Sequence, residues 1–329
     1  MKKYKYILIG DDRGRSHLNK EDGAKTKGDG AIQLSGLYQW ANCFKAYGSG
    51  GTIEPVWRLE DLEEYDVVHV NMTPSNLQHI SVIRNELGES SSTKIVCNVD
   101  LDVAHWSPNF SYYTTAMVTE LKKADILFHV ETRGADVLEH LLEKKVHVCP
   151  HPVDVTGLYD YIQKERDPMA GVIFHRYTAE SLTPYIALRN IPLRRVLFGY
   201  TPVGKAPAVA NAGMYDEIMM YQGFEAHIKE VAKMFIGCDL YSGHSYGRSV
   251  VEFAALGVPC VASNTIEAAR YLFPETAVDP FDTKGAEEKF RKIISDPDFA
   301  DSVIETAAAG RRMYGLESRY KAFCALIES

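Results

Sequence analysis

Residues 239–263 read DLYSGHSYGRSVVEFAALGVPCVAS, and within them Gly243, Gly247, Arg248, Ser249 and Glu252 have the types and spacing of a phosphate and diol site. The stretch 239–242 is apolar enough to finish a buried strand, and the two glycines after it permit a tight backbone path that residues with a Cβ resist. Ser249 is placed to cap the helix that follows, with Ser245 and Tyr246 on the turn before it. The amides of a helix's first turn, reinforced by the helix dipole, suit phosphate oxygens, and Arg248 stands beside them. Glu252 lies one helical turn beyond Ser249, where its carboxylate can accept hydrogen bonds from a ribose diol. Gly257 supplies a left-handed stop, Pro259 prevents continuation, and 260–262 reads as the next buried strand. An ordinary strand, turn, helix and strand of an α/β sheet has the same pattern, so the segment alone leaves both readings open.

The elements that must position these residues follow from short apolar runs alternating with longer amphipathic ones. Strands are predicted at 6–10, 66–71, 94–99, 125–130, 146–149, 171–176 and 195–199, with helices over 32–47 and 224–235 and a last one over 316–327. Phe224, Ile228, Val231 and Phe235 fall on one face of the 224–235 helix. Strands spaced by helices imply mostly parallel sheets covered on both faces. At 329 residues, 46% of them apolar, the chain suits two α/β domains.

The 239–263 segment resembles the donor motif of the retaining GT-B glycosyltransferases. There, two glutamates separated by seven residues precede an alanine-rich helix, a Gly-x-Pro stop and a Val-Ala-Ser strand. Glu252 matches the second glutamate, and eight positions earlier His244 stands where the family has the first. The resemblance implies that Glu252 holds the nucleotide ribose and that Gly243, Ser245, Tyr246, Gly247, Arg248 and Ser249 line the donor. It sets His244 against the donor sugar, as an imidazole that can bond a hydroxyl or phosphate but supplies no fixed negative charge. It also puts Arg176, after the first strand of the second domain, on the donor diphosphate. The lysine that the family carries five residues further on is Ser181 here, which leaves the remaining charge to the helix amides near Arg248 and to Lys205 or another base.

The fold so implied is α/β, with two Rossmann-like domains facing a cleft: 1–152 on the acceptor side, 153–315 binding the nucleotide sugar, and a C-terminal helix at 316–329 packing back toward the first domain. The junction falls at His151-Pro152-Val153-Asp154, where the family carries Asn-Gly-Val-Asp, and the added proline stiffens it. His151 is read as structural. In this arrangement the end of the 94–99 strand faces the donor and acceptor, so Asp100 and His105 are candidates for meeting the acceptor hydroxyl or donor sugar. Lys20, Lys25 and Lys27 ahead of Gly28 and Gly30 belong to the first loop, read as solvated, with attraction of an anionic acceptor as the alternative.

The activity implied is transfer of a sugar from a UDP- or GDP-linked donor to an acceptor hydroxyl, with retention and without metal or cofactor. The acceptor is a glycan, a lipid-linked sugar, a protein or a small molecule. Three alternatives stay open: a GT-B-like sugar-nucleotide epimerase, a GT-A transferase holding a divalent metal through Asp100 and Asp102, and a non-catalytic sugar-nucleotide binder. The net charge of −8 argues against broad nucleic-acid binding. Six cysteines without a C-x-x-C pair suggest buried thiols in a reducing compartment, and no apolar run reaches membrane-span length, so a cytoplasmic location is expected. The Lys2-Lys3-Tyr4-Lys5 start is read as solvated, with peripheral contact to an anionic membrane as the alternative.

Overall fold

The computed structural model describes residues 2–10, 36–55, 61–72, 77–99, 110–174, 179–199, 213–220 and 224–329. Contacts divide the chain into two compact units, Met1–Pro152 with Tyr314–Ser329, and Val153–Met313. Each unit is built on one six-stranded sheet in which every pairing is parallel.

The first unit contains β1 (Lys5–Gly10), β2 (Gly50–Pro55), β3 (Val67–Asn71), β4 (Lys94–Val99), β5 (Ile126–His129) and β6 (His147–Val148), in the order β2-β1-β3-β4-β5-β6. Its strands read as continuous apolar runs because both faces are covered, and the period of two divides each run between two layers. Ile7, Ile9, Val68 and Val70 face an aliphatic layer with Ile95, Cys97, Leu121 and Leu138. Tyr6, Leu8 and Val67 face an aromatic one. There the Gly36–Tyr47 helix contributes Trp40 and Phe44, and the Leu316–Glu328 helix contributes Tyr320 and Phe323. The Phe323 ring lies 4.7 Å from Trp40 and 5.3 Å from Phe44, which ties the last helix of the chain into the core of its first sheet.

Four polar side chains are linked across β1, β3 and β4 beside this layer. Asn98 donates from Nδ2 to Asn71 Oδ1 at 2.9 Å, so its Oδ1 is the acceptor for His69 Nε2 at 2.7 Å. In the tautomer that carries its proton on Nε2, the His69 Nδ1 accepts from the Tyr6 hydroxyl at 2.5 Å. Tyr6, His69 and Asn98 are fully buried, and each is satisfied by the next. His151 is buried as well and accepts from Trp40 Nε1 at 2.9 Å, a packing role for this residue.

The second unit contains β7 (Asp167–Phe174), β8 (Arg194–Gly199), β9 (Glu217–Met220), β10 (Met234–Asp239), β11 (Cys260–Ser263) and β12 (Ala277–Val278). Their order, β9-β8-β7-β10-β11-β12, is the doubly wound dinucleotide-fold order, counting outward in one direction from β7 and in the other from β10. Val172, Leu197, Ile236, Cys238, Val261 and Phe290 fill one core layer.

The helix expected over 224–235 ends at Ala232, and Phe235 lies in β10. Tertiary pairing overrides the helical spacing here, because residues 234–239 pair with β7 on one side and β11 on the other. Gly237 permits close packing on this strand, since a Cβ there would stand 2.7 Å from the Phe253 ring. The strand placed at 239–242 therefore begins earlier and ends at Asp239. Among the described residues no helix is long and apolar enough to cross a membrane.

Replacing His69 with Ala removes its hydrogen bonds with the Tyr6 hydroxyl and with Asn98 Oδ1 and opens a cavity in the core. The expected loss in urea unfolding is about 3 kcal/mol, and a loss under about 1 kcal/mol would mean that the linked chain adds little to stability.

Candidate functional site

Open α/β sheets bind ligands outside the carboxyl ends of their strands, at the point where strand order reverses. In the second unit that point lies between β7, ending at Phe174, and β10, ending at Asp239. The chain that leaves β10 there is the glycine-bearing turn singled out in the sequence. Gly243, His244, Ser245 and Tyr246 are all half-buried, so the turn presents one face to solvent.

Its other face is pinned. The carbonyls of Ser245 and Tyr246 accept hydrogen bonds from the amides of Glu267 and Ala268, at 2.9 and 3.0 Å, the first two residues of the Glu267–Leu272 helix. Thr265 Oγ1 donates to the Tyr241 carbonyl at 2.8 Å and lies 2.6 Å from Ser263 Oγ. Gly247 takes a left-handed conformation, φ 87°, and a Cβ on it would stand 2.2 Å from Ile266 Cγ2. Backbone conformation and space both demand glycine at this position.

The next helix, Arg248–Leu256, has Gly247 as its N-cap residue and no side-chain cap. The capping role expected of Ser249 is therefore corrected. Asp239 is buried at the end of β10 and requires a donor, and the Ser249 hydroxyl supplies it. That bond ties the strand end to the helix start. At the other end Gly257 adopts the left-handed stop, φ 69°. Two arginines then hold the terminal carbonyls. Arg166 donates to Leu256 and Gly257 at 3.0 Å, and also to Ala232 and Met234 at 3.1 Å. Arg311 donates to Ala254 at 2.9 Å and to Ala255 at 3.2 Å. Cations at a helix C-terminus complement its dipole.

Glu252 is buried, and its Oε1 lies 2.9 Å from Nε of Arg248, the two side chains being 3% and 16% exposed. His227, on the Phe224–Ala232 helix, packs edge-on against Phe198. Burial, and then the charge of Arg248, push its imidazole down to about 4. Ser181 is buried in the Ala179–Leu188 helix, and its carbonyl accepts a hydrogen bond from the Tyr215 hydroxyl.

The structure thus brings His244, Ser245, Tyr246, Gly247, Arg248, Ser249 and Glu252 to one strand end. Asp100, His105, Arg176, Asp102, Lys205 and the first-loop Lys20, Lys25 and Lys27 lie outside the described residues. Sequence reasoning missed Asp239, Thr265, Ile266, Arg166, Arg311 and His227. Only Asp239 carries a local signal, as a carboxylate closing an apolar run.

No protein-family model and no curated protein matches the sequence. Solved structures do match the fold. A structure of Anabaena Alr3699/HepE in complex with UDP aligns with a TM-score of 0.72 at 12% identity, over 100% of this chain and 100% of that one. An E. coli structure described as trehalose-6-phosphate bound with UDP-2-fluoro glucose gives 0.61 at 11%, over 80% of this chain and 73% of the other. S. aureus TarM with UDP and a glycerol-linked α-GlcNAc gives 0.62 at 10%, over 83% and 58%. At these identities the likeness is one of fold.

Two outcomes follow from the pinned turn and its neighbour. Gly247→Ala places a Cβ against Ile266 in a left-handed backbone and should lower unfolding stability by about 2–4 kcal/mol, read as a shift in urea midpoint. His227 stays neutral in the folded chain, so as pH falls the unfolded chain takes up the proton first. Its contribution is complete above the usual imidazole value of 6.5 and is lost as pH falls toward 4. The total is about 3 kcal/mol, and His227→Gln should flatten the pH dependence of stability across that window.

Proposed function

We propose that this chain, whose two parallel six-stranded α/β sheets give it the fold of the GT-B glycosyltransferases, moves a sugar from a UDP- or GDP-linked donor to an acceptor hydroxyl. One observation carries the reading: the turn at the strand-order reversal of the second unit leads into a helix that holds Arg248 at its start and the buried carboxylate of Glu252 one turn inside. The fold matches add support, since structures of HepE, of the E. coli protein and of TarM were obtained with UDP or a UDP-sugar.

In this reading the donor diphosphate lies at the first turn of the Arg248–Leu256 helix. The amides there have no partner within the helix, and the dipole favours the negative charge that grows as the sugar departs. Arg248 and Arg176 complete the neutralisation, and no metal is needed. Glu252 takes the ribose hydroxyls. Acceptor binding belongs to the first unit, with Asp100 and His105 as the groups assigned to the reacting hydroxyl. The departing phosphate takes the acceptor proton on the face it leaves, and the anomeric configuration is retained. The protein works in the cytoplasm in this reading.

His244 faces the donor sugar and supplies an imidazole in place of a carboxylate. Together with Ser181 it favours one further reading, a sugar-nucleotide binder without turnover.

Thermal shift with UDP and GDP, followed by release of nucleoside diphosphate from labelled UDP-glucose and GDP-mannose in EDTA, tests the proposal. Nucleotide is expected to raise the melting temperature, and release is expected to persist in EDTA. Glu252→Ala should weaken nucleotide binding by roughly 1–3 kcal/mol, and His244→Glu should change donor preference or rate. Binding with no release from any donor would establish the binder, and loss of release in EDTA would point to metal chemistry.

A further inference from the structure

The arc of chain between the end of β10 and the Arg248–Leu256 helix is held at both feet by one segment, the one that leaves β11. At the carboxyl foot the amides of Glu267 and Ala268 hold the carbonyls of Ser245 and Tyr246, and Ser245 bridges to Ile266. At the amino foot the tie is a side chain. Thr265 Oγ1 donates to the Tyr241 carbonyl at 2.8 Å, and because a hydroxyl has one proton to give, the 2.6 Å contact with Ser263 runs from Ser263 Oγ to Thr265. The Thr265 amide returns a bond to Ser263 Oγ at 3.2 Å. Ser263 is buried at the end of β11, so the sheet itself orients the threonine.

Between the feet stand Ser242, Gly243 and His244, all half-buried. With both ends fixed, three residues have few paths to take. The helix start is fixed separately, by the close passage of Gly247 past Ile266, by Ser249 on Asp239, and by Arg166 and Arg311 at the far end of the helix. None of these ties runs through Thr265. Ribose, diphosphate and sugar are consecutive in a nucleotide sugar, and Glu252, the helix start and the arc follow in that order when the chain is read backwards. The arc is the part left for the sugar.

We infer that Thr265 is a positioning residue for the donor sugar: through the Tyr241 carbonyl it sets the arc that carries His244, and it leaves the nucleotide half of the donor to other fixings. The inference rests on the reading of the second unit as a nucleotide-sugar site with His244 at the sugar. A threonine that only braced the fold would affect nucleotide and sugar nucleotide alike. One that sets the arc affects the sugar's share.

Calorimetric titration of the full chain with UDP and UDP-glucose, and with GDP and GDP-mannose, gives the affinity ratio of sugar nucleotide to nucleotide. Thr265→Val keeps the side-chain shape and removes the hydroxyl. It should lower that ratio about fivefold or more while the nucleotide itself binds within about twofold of wild type. Thr265→Ser, which restores the donor, should bring the ratio back to within about twofold of wild type. Thr265→Ala carries the same expectation as the valine variant if that chain does not fold. A ratio unchanged or raised in Thr265→Val, equal losses of nucleotide and sugar nucleotide, or no recovery in Thr265→Ser would overturn the inference alone. So would failure of both the valine and the alanine chains to fold, since the hydroxyl would then serve the fold, and so would a wild type that binds nucleotide but neither sugar nucleotide. Absence of UDP and GDP binding in wild type would overturn the nucleotide reading and this inference with it.

Discussion

Two backbone hydrogen bonds hold the candidate site in place, from the amides of Glu267 and Ala268 to the carbonyls of Ser245 and Tyr246. They spend the start of one helix on fixing the turn that begins another. The arrangement works only if the chain can pass Ile266 closely, hence the bare left-handed backbone at Gly247. From that point the Arg248–Leu256 helix is aimed by three further ties. Ser249 binds its first turn to Asp239 at the end of β10, and Arg166 and Arg311 bind its last carbonyls. Ordering this segment is part of folding, so little conformational entropy is left for a ligand to remove.

The two units solve the problem of a buried parallel sheet differently. The second places Gly171 and Gly237 on adjacent central strands, and a Cβ at either would meet a neighbouring side chain, Met234 for one and Phe253 for the other. The first builds one face from large rings and threads a polar chain beside them, from Tyr6 through His69 and Asn98 to Asn71. Replacing any one member would remove a hydrogen bond from its neighbours, so the chain fixes side-chain rotamers as well as register. Its last member, Asn71, closes β3, next to the strand-order reversal between β1 and β3 in that sheet.

Parallel α/β architecture was legible because buried strands leave an unambiguous trace: KIVCNV at 94–99 is β4 to the residue, and the Gly257 stop lies where glycine before Val-Pro puts it. The 224–235 helix was misread because Phe224, Ile228, Val231 and Phe235 keep helical spacing across a boundary that only strand pairing with β7 decides. The order of residues in the site was legible for the same reason as the strands, being one contiguous segment. Its fixings were not. Arg166 reaches carbonyls as far as Gly257 and Arg311 reaches back to Ala254, contacts that no local pattern announces. Ser249 is a good cap by type, but a buried Asp239 ten residues earlier claims its hydroxyl.

The first unit is interrupted in sequence: Val153–Met313 forms a separate unit before Tyr314–Ser329 returns to complete it. Phe323 and Tyr320 are central to its aromatic layer, touching Tyr6, Trp40, Phe44 and Phe128 between them. During synthesis, therefore, the earlier-made sheet must wait with one face unsealed until the tail emerges, while the later-made unit can close as soon as its own last helix is out. Chaperone demand and vulnerability to premature termination both fall on the amino-terminal half.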